Sequence, residues 1–283
     1  MDFLKSAESV CILLIMALPG FILVKTKILN EQSTKTLANI LILICQPFIY
    51  LNAFTTNTYS SDLLVDIGWI TLFAFASQLV MLAISKVIYL PDKNKMRANT
   101  YVYASSLGNV GFMGIPVVQT LLPGNSTALM FVAIFMATFN ILCWTLGVYI
   151  LTGDKKYISF KRAFLNPSMI GMVIALPLFF LNVKMPNILA EPFSLLAGLN
   201  TPIAMIILGA KFGLVKFKEL FTGWGAYLSA VIKLIITPLL MFAILIPLEL
   251  SYDVETVLMI LTCMPSANMV LIMAEKFDGQ YEN

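Results

Sequence analysis

Apolar residues fall in long runs along the chain, not in the alternating or three-to-four spacing of half-buried elements. Each run is close to the roughly 20 residues a helix needs to cross a bilayer core about 30 Å thick. Nine such segments are predicted, at 7–24, 36–54, 65–90, 98–121, 126–151, 167–181, 188–210, 221–248 and 254–274. Short polar turns separate them, among them Pro91-Asp92, Pro123-Gly124-Asn125 and Thr152-Gly153-Asp154. The pattern predicts an all-α polytopic protein embedded in a lipid bilayer, with no separate soluble domain. Met1–Ser6 lacks a basic stretch followed by a small-residue cleavage site, so the first run is expected to stay as a helix.

Composition sharpens this. Of 283 residues, 59% are hydrophobic and 12% charged, with a mean hydropathy of +0.90. Soluble domains carry about 25% charged residues, so this chain lacks the charge to coat a globule. A net charge of +3 is too mild for a nucleic-acid partner. What matters is where the charges sit. With the N-terminus outside, the loops at 25–35, 91–97, 152–166 and 211–220, the tail after Ala274 and Lys86 would face the cytoplasm. Together they hold 15 of the 18 basic residues. Only Lys5 and Lys184 lie on the other side, and Lys233 lies within a segment. The acids show no such bias. The positive-inside rule therefore predicts an N-terminus outside, and the location expected for this multi-pass protein is the plasma membrane.

The chain contains an internal echo. Ala17-Leu18-Pro19 recurs as Ala175-Leu176-Pro177, Pro47 is matched by Pro202, and Leu107-Gly108-Asn109 by Met264-Pro265-Ser266. The offsets are 158, 155 and 157 residues, which suggests one five-helix unit used twice. Five is odd, so the second copy would be inverted in the membrane, a plan of secondary transporters. On this plan the first repeat is 1–151 and the second 152–283. The second lacks its last helix, and a truncated form of a ten-helix protein is expected.

Two segments are poor continuous helices. Gly108, Gly111, Gly114 and Pro116 interrupt the fourth, and Pro265 interrupts the ninth. Either set of small residues could serve close helix packing. As a pair at matching repeat positions, they point to a binding site where the two breaks cross. Half-helix N-termini there suit an anion, and Asn109 and Asn268 add amide side chains. The candidate site is Gly108, Asn109, Val110, Gly111, Pro265, Ser266 and Asn268. Lys233 joins them as a charge in mid-membrane, where an ionisable group costs at least about 2.5–3.5 kcal/mol. It would attract an anionic substrate, stand where other transporters bind sodium, or bond the freed carbonyls of a broken helix. Gln46, beside Pro47, marks a kink and is a candidate cavity residue. Asn140 is a further candidate, or else polar glue between helices. Trp69, Trp144 and Trp224 read as interface anchors.

Absences narrow the chemistry. There is no histidine, and Cys11, Cys45, Cys143 and Cys263 have no ligand spacing. They are expected as buried apolar thiols without disulfides. No metal site, cofactor or catalytic pair is implied, so the chain does not read as an enzyme. No Asp or Glu falls in mid-membrane; Glu275 sits near a segment end as a solvated boundary residue. This argues against a carboxylate proton relay or sodium site.

With these residues in view, the whole chain resembles the auxin efflux carrier family, in its prokaryotic branch of malate and malonate permeases. The resemblance is carried by Gly108–Pro116, by Thr201-Pro202-Ile203-Ala204 with Leu208-Gly209-Ala210, and by Pro265-Ser266-Ala267-Asn268 with Ala274-Glu275-Lys276-Phe277. It implies two inverted five-helix repeats related to sodium/proton antiporters and bile-acid symporters. Segments 7–24, 36–54, 167–181 and 188–210 would form a scaffold that dimerises. Segments 65–90, 98–121, 126–151, 221–248 and 254–274 would form a transport domain with crossed fourth and ninth helices. By position, Asn109 matches a substrate-contacting asparagine of the plant exporters, and Pro265 the proline of their ninth helix. Those exporters have a proline where this chain has Gly108. The function implied is elevator-type transport of a small organic anion. The alternatives are a sodium-coupled symporter of the bile-acid type and a non-transporting membrane sensor or assembly subunit.

Overall fold

The computed structural model describes residues 3–215 and 223–267, and these are helical with no strand among them. In chain order the helices are α1 (Phe3–Lys25), α2 (Glu31–Thr56), α3 (Ser61–Ile88), α4 (Lys95–Ser106) and α5 (Val110–Leu121). They continue as α6 (Ser126–Thr152), α7 (Pro167–Phe180), α8 (Asn187–Leu214), α9 (Trp224–Leu248) and α10 (Tyr252–Thr262).

Among the described residues, six of these helices are long and apolar enough to span a membrane. A bent pair, Lys155–Phe164 with Pro167–Phe180 at 50°, makes a seventh. The predicted fourth segment is split into α4 and α5. The ninth is described as far as the break after α10; Asn268 and Glu275 lie outside the described residues.

Prolines shape the long helices. A proline has no N–H, so a carbonyl one turn earlier loses its donor. Three π-turns lie immediately before such a proline: Leu41–Cys45 before Pro47, Val110–Gly114 before Pro116, and Ile232–Ile236 before Pro238. In the last, the Thr237 N–H reaches back to Ile232 O, and the Thr237 hydroxyl donates to the same oxygen at 2.8 Å. The wider turn re-pairs what the proline freed.

The chain forms two compact units. One comprises Met1–Ser61, Gly111–Ala133 and Pro167–Thr222; the other comprises Asp62–Val110, Ile134–Asn166 and Gly223–Asn283. In the first, α1 lies against α8 through small residues. A Cβ at Gly20 would run into the Ile206 carbonyl, and one at Gly209 into the Ala17 carbonyl. Leu13, Leu41, Cys45 and Met205 fill its core. In the second, Tyr103, Phe139, Cys143 and Leu151 form one core cluster, and Met81, Val102 and Ile232 another. Gln78 ties α3 to α6 by donating to Thr138 Oγ1 at 3.0 Å.

The thiols divide. Cys45 and Cys143 are buried as expected, whereas Cys11 and Cys263 are exposed. On α1 the buried face runs through Ser9, Leu13, Ala17 and Gly20, and Cys11 is two residues off it, on the outer side. Cys263 is the first residue past α10, at the break.

Candidate functional site

The site grows from the ends of two broken helices. α4 stops at Ser106 and α10 at Thr262. The segments that follow, Leu107–Asn109 and Pro265–Ala267, run antiparallel and pair as a miniature two-strand contact, Gly108 opposite Ser266. Asn109 N–H donates to Pro265 O at 2.7 Å, and Ala267 N–H to Leu107 O at 2.9 Å. The Ser266 hydroxyl donates to Ala104 O at 2.6 Å. Backbone groups freed at membrane depth are tolerated only when protein or a cavity satisfies them, and here each break supplies partners for the other.

Lys233 belongs to this crossing. It is 4% exposed, and among the described residues it is the one charged side chain that is buried. The point where a Cβ would sit on Gly108 is 3.1 Å from Lys233 Cε, 3.2 Å from its Nζ and 3.4 Å from Leu261 O. Gly108 thus leaves room for the ammonium. The helix ends that converge on it, those of α4 and α10, are C-terminal, the partly negative ends of helix dipoles. Among the described residues, no carboxylate and no hydrogen-bond acceptor is paired with Lys233; the Cys263 thiol lies within electrostatic reach of it.

A cleft of about 250 Å³ opens beside it, walled by Thr100 and Tyr101 of α4, Ser229 and Lys233 of α9, and Pro265 and Ser266. The sequence reading missed Thr100, Tyr101 and Ser229. Ser229 was within reach, four residues before Lys233 on the same helix face. Tyr101 was not, because what fixes its ring is far along the chain. Gly225 leaves its space to that ring, Gly223 (φ 97°) turns the chain beside the hydroxyl, and Tyr89 packs at 5.4 Å between ring centroids. Outside the membrane-spanning segments, the Arg97 guanidinium bonds both oxygens of Asp92 and holds its carboxyl below the usual range.

The other candidate residues are placed as follows. Asn109 is 7% exposed, at the crossing, and Val110 follows it, its N–H donating to Gly108 O at 2.9 Å. Gly111 lies in the π-turn that opens α5. Gln46 is in the first unit, where its Oε1 accepts from the Ser168 hydroxyl at 2.7 Å. Asn140 is buried on α6, its Nδ2 without a partner among the described residues. Of the candidate residues, Lys233, Pro265 and Ser266 line the cleft; Gly108, Asn109, Val110, Gly111, Gln46 and Asn140 do not.

A family profile described as membrane transport protein matches residues 6–162 and 156–282. An uncharacterized transporter of Methanocaldococcus jannaschii is 25% identical over 284 aligned residues, covering 96% of this chain and 89% of its own.

Proposed function

The chain belongs to the membrane transport protein family, that of the auxin efflux carriers, and is a membrane transporter; from that premise we propose that it carries a small organic anion, a mono- or dicarboxylate, by alternating access at the crossing of its fourth and ninth segments. One observation carries the choice of an anion. A buried ammonium stands at the crossing with no acidic partner among the described residues. Such a charge is costly at membrane depth, and a carboxylate brought to it supplies the missing counter-charge. Asn109, buried at the crossing, sets an amide side chain among the groups of the site. The division of the chain into two compact units supports an elevator-type motion, with the crossing carried on the second unit. Dimerisation through the first unit's helices and residence in the plasma membrane belong to the same reading.

Flux of malate, malonate, succinate and indole acetate into proteoliposomes under an imposed potential tests it. At least one anion is expected to move, and Asn109→Ala should cut its flux at least tenfold while the melting temperature stays unchanged. Undiminished flux in that variant sinks the site assignment. Loss of uptake on removing sodium at constant potential favours the symporter. No flux from a folded protein favours the sensor.

A further inference from the structure

The cleft beside Lys233 has a neighbour on the far side of the wall residues Thr100 and Tyr101. A second, open depression of about 320 Å³ shares Thr100 and Tyr101 in its wall and continues to Asn94 and Arg97 at the start of α4. The loop at its rim also carries the exposed Lys93 and Lys95. From Arg97 to Gly108 is 11 residues of chain, ~16 Å at 1.5 Å per residue. That is about half of a 30 Å bilayer core. The two cavities thus follow one another along α4, from Asn94 and Arg97 at its start to Lys233 and Ser266 at the crossing.

The chemistry of the wall is one-sided. Among the described residues, no carboxylate lines either cavity. Most hydroxyl protons are already committed: Thr100 donates to Met96 O, Ser266 donates to Ala104 O, and Ser229 bonds Tyr89. Donors on the wall run from Asn94 and Arg97 at the rim, through the Tyr101 hydroxyl midway, to the Lys233 ammonium at the floor. Below the Arg97–Asp92 pair at the rim, donors in line with no acid on the wall suit an oxyanion and disfavour a cation.

We infer that this cleft is an anion-access route from one membrane face to Lys233, with Tyr101 as the residue that receives an entering oxyanion between rim and floor. It would give the carrier its way in and rests on that reading. Its charge selectivity, however, is testable without any flux.

The test uses the full chain with the exposed thiols Cys11 and Cys263 replaced by serine. Single cysteines are placed at Ala226 and Ala230, both exposed and both in the cleft wall. Each is reacted with an anionic (sulfonatoethyl) and a cationic (trimethylammonioethyl) methanethiosulfonate, and rates are normalised to free cysteine. The anionic reagent should win at both positions and by about tenfold or more at Ala230→Cys, one turn from Lys233. Adding Lys233→Met should collapse that preference about tenfold, Lys233→Arg should keep it, and Tyr101→Phe should lower it at Ala230→Cys. Should Lys233→Met fail to fold, sulfate added to the Ala230→Cys protein must slow the anionic reagent but not the cationic one. Equal rates for the two reagents, no reaction with either, or a preference that survives Lys233→Met would each overturn the route. An intact preference with no anion flux would remove the carrier reading and leave the route standing.

Discussion

Gly108 and Lys233 share one small space although 125 positions separate them in the chain. The absence of a side chain at 108 makes room for the ammonium where two helix C-termini converge. A bulky residue there must displace the lysine or spread the paired segments. Gly108→Leu should therefore destabilise the protein by about 1–3 kcal/mol, read as a lowered melting temperature in detergent. An unchanged melting temperature would mean that the space is looser than it looks. The sequence already marked both residues as exceptional, one as a helix breaker and the other as a charge in an apolar run. It grouped them in one candidate site but not as direct neighbours, because a contact across that distance is set by the fold and leaves no local trace. Tyr101 was invisible for the same reason: nothing near it hints that Gly223 and Gly225 will seat its ring.

Within single helices, the prolines were legible and their consequences were not. Pro47, Pro116 and Pro238 each remove a donor in a readable way. Whether the helix answers with a kink or with a π-turn depends on which neighbours can pair the freed carbonyl. In α9 the answer is the Ile232–Ile236 turn, which contains Lys233 and is held by Thr237. Pro238→Ala restores the N–H and removes the reason for the wide turn. The two halves of α9 should then rotate by about 100° relative to one another, carrying the lysine off the crossing. The expected result is anion flux lost with the helical circular dichroism signal kept. Flux at the level of the parent protein would show that the turn persists without its proline. The split of the predicted fourth segment into α4 and α5 was legible from three glycines and a proline. That the break is closed by a hydrogen bond from Asn109 N–H to Pro265 O and one from Ala267 N–H to Leu107 O was not.

Across the molecule, the most readable property was the membrane itself, since long apolar runs admit few other solutions. Orientation, argued from the placement of basic residues, has its own check. In cells, a membrane-impermeant maleimide should label Lys184→Cys and spare Lys93→Cys, each in a protein lacking its exposed native thiols. The opposite labelling would invert the topology. The two units were less readable, because each is assembled from three separate stretches of chain. That interleaving has a consequence for synthesis. By the time α8 leaves the ribosome, all helices of the first unit exist and can associate. In the second unit, α3 and α4 must wait in the bilayer for α9 and α10. Until residues 265–267 emerge, the open end of α4 has none of the partners that close it, and unpaired peptide groups cost several kcal/mol each in lipid. The nascent protein thus carries its candidate site as a late and exposed unfinished part, the stage at which quality-control proteases would find it.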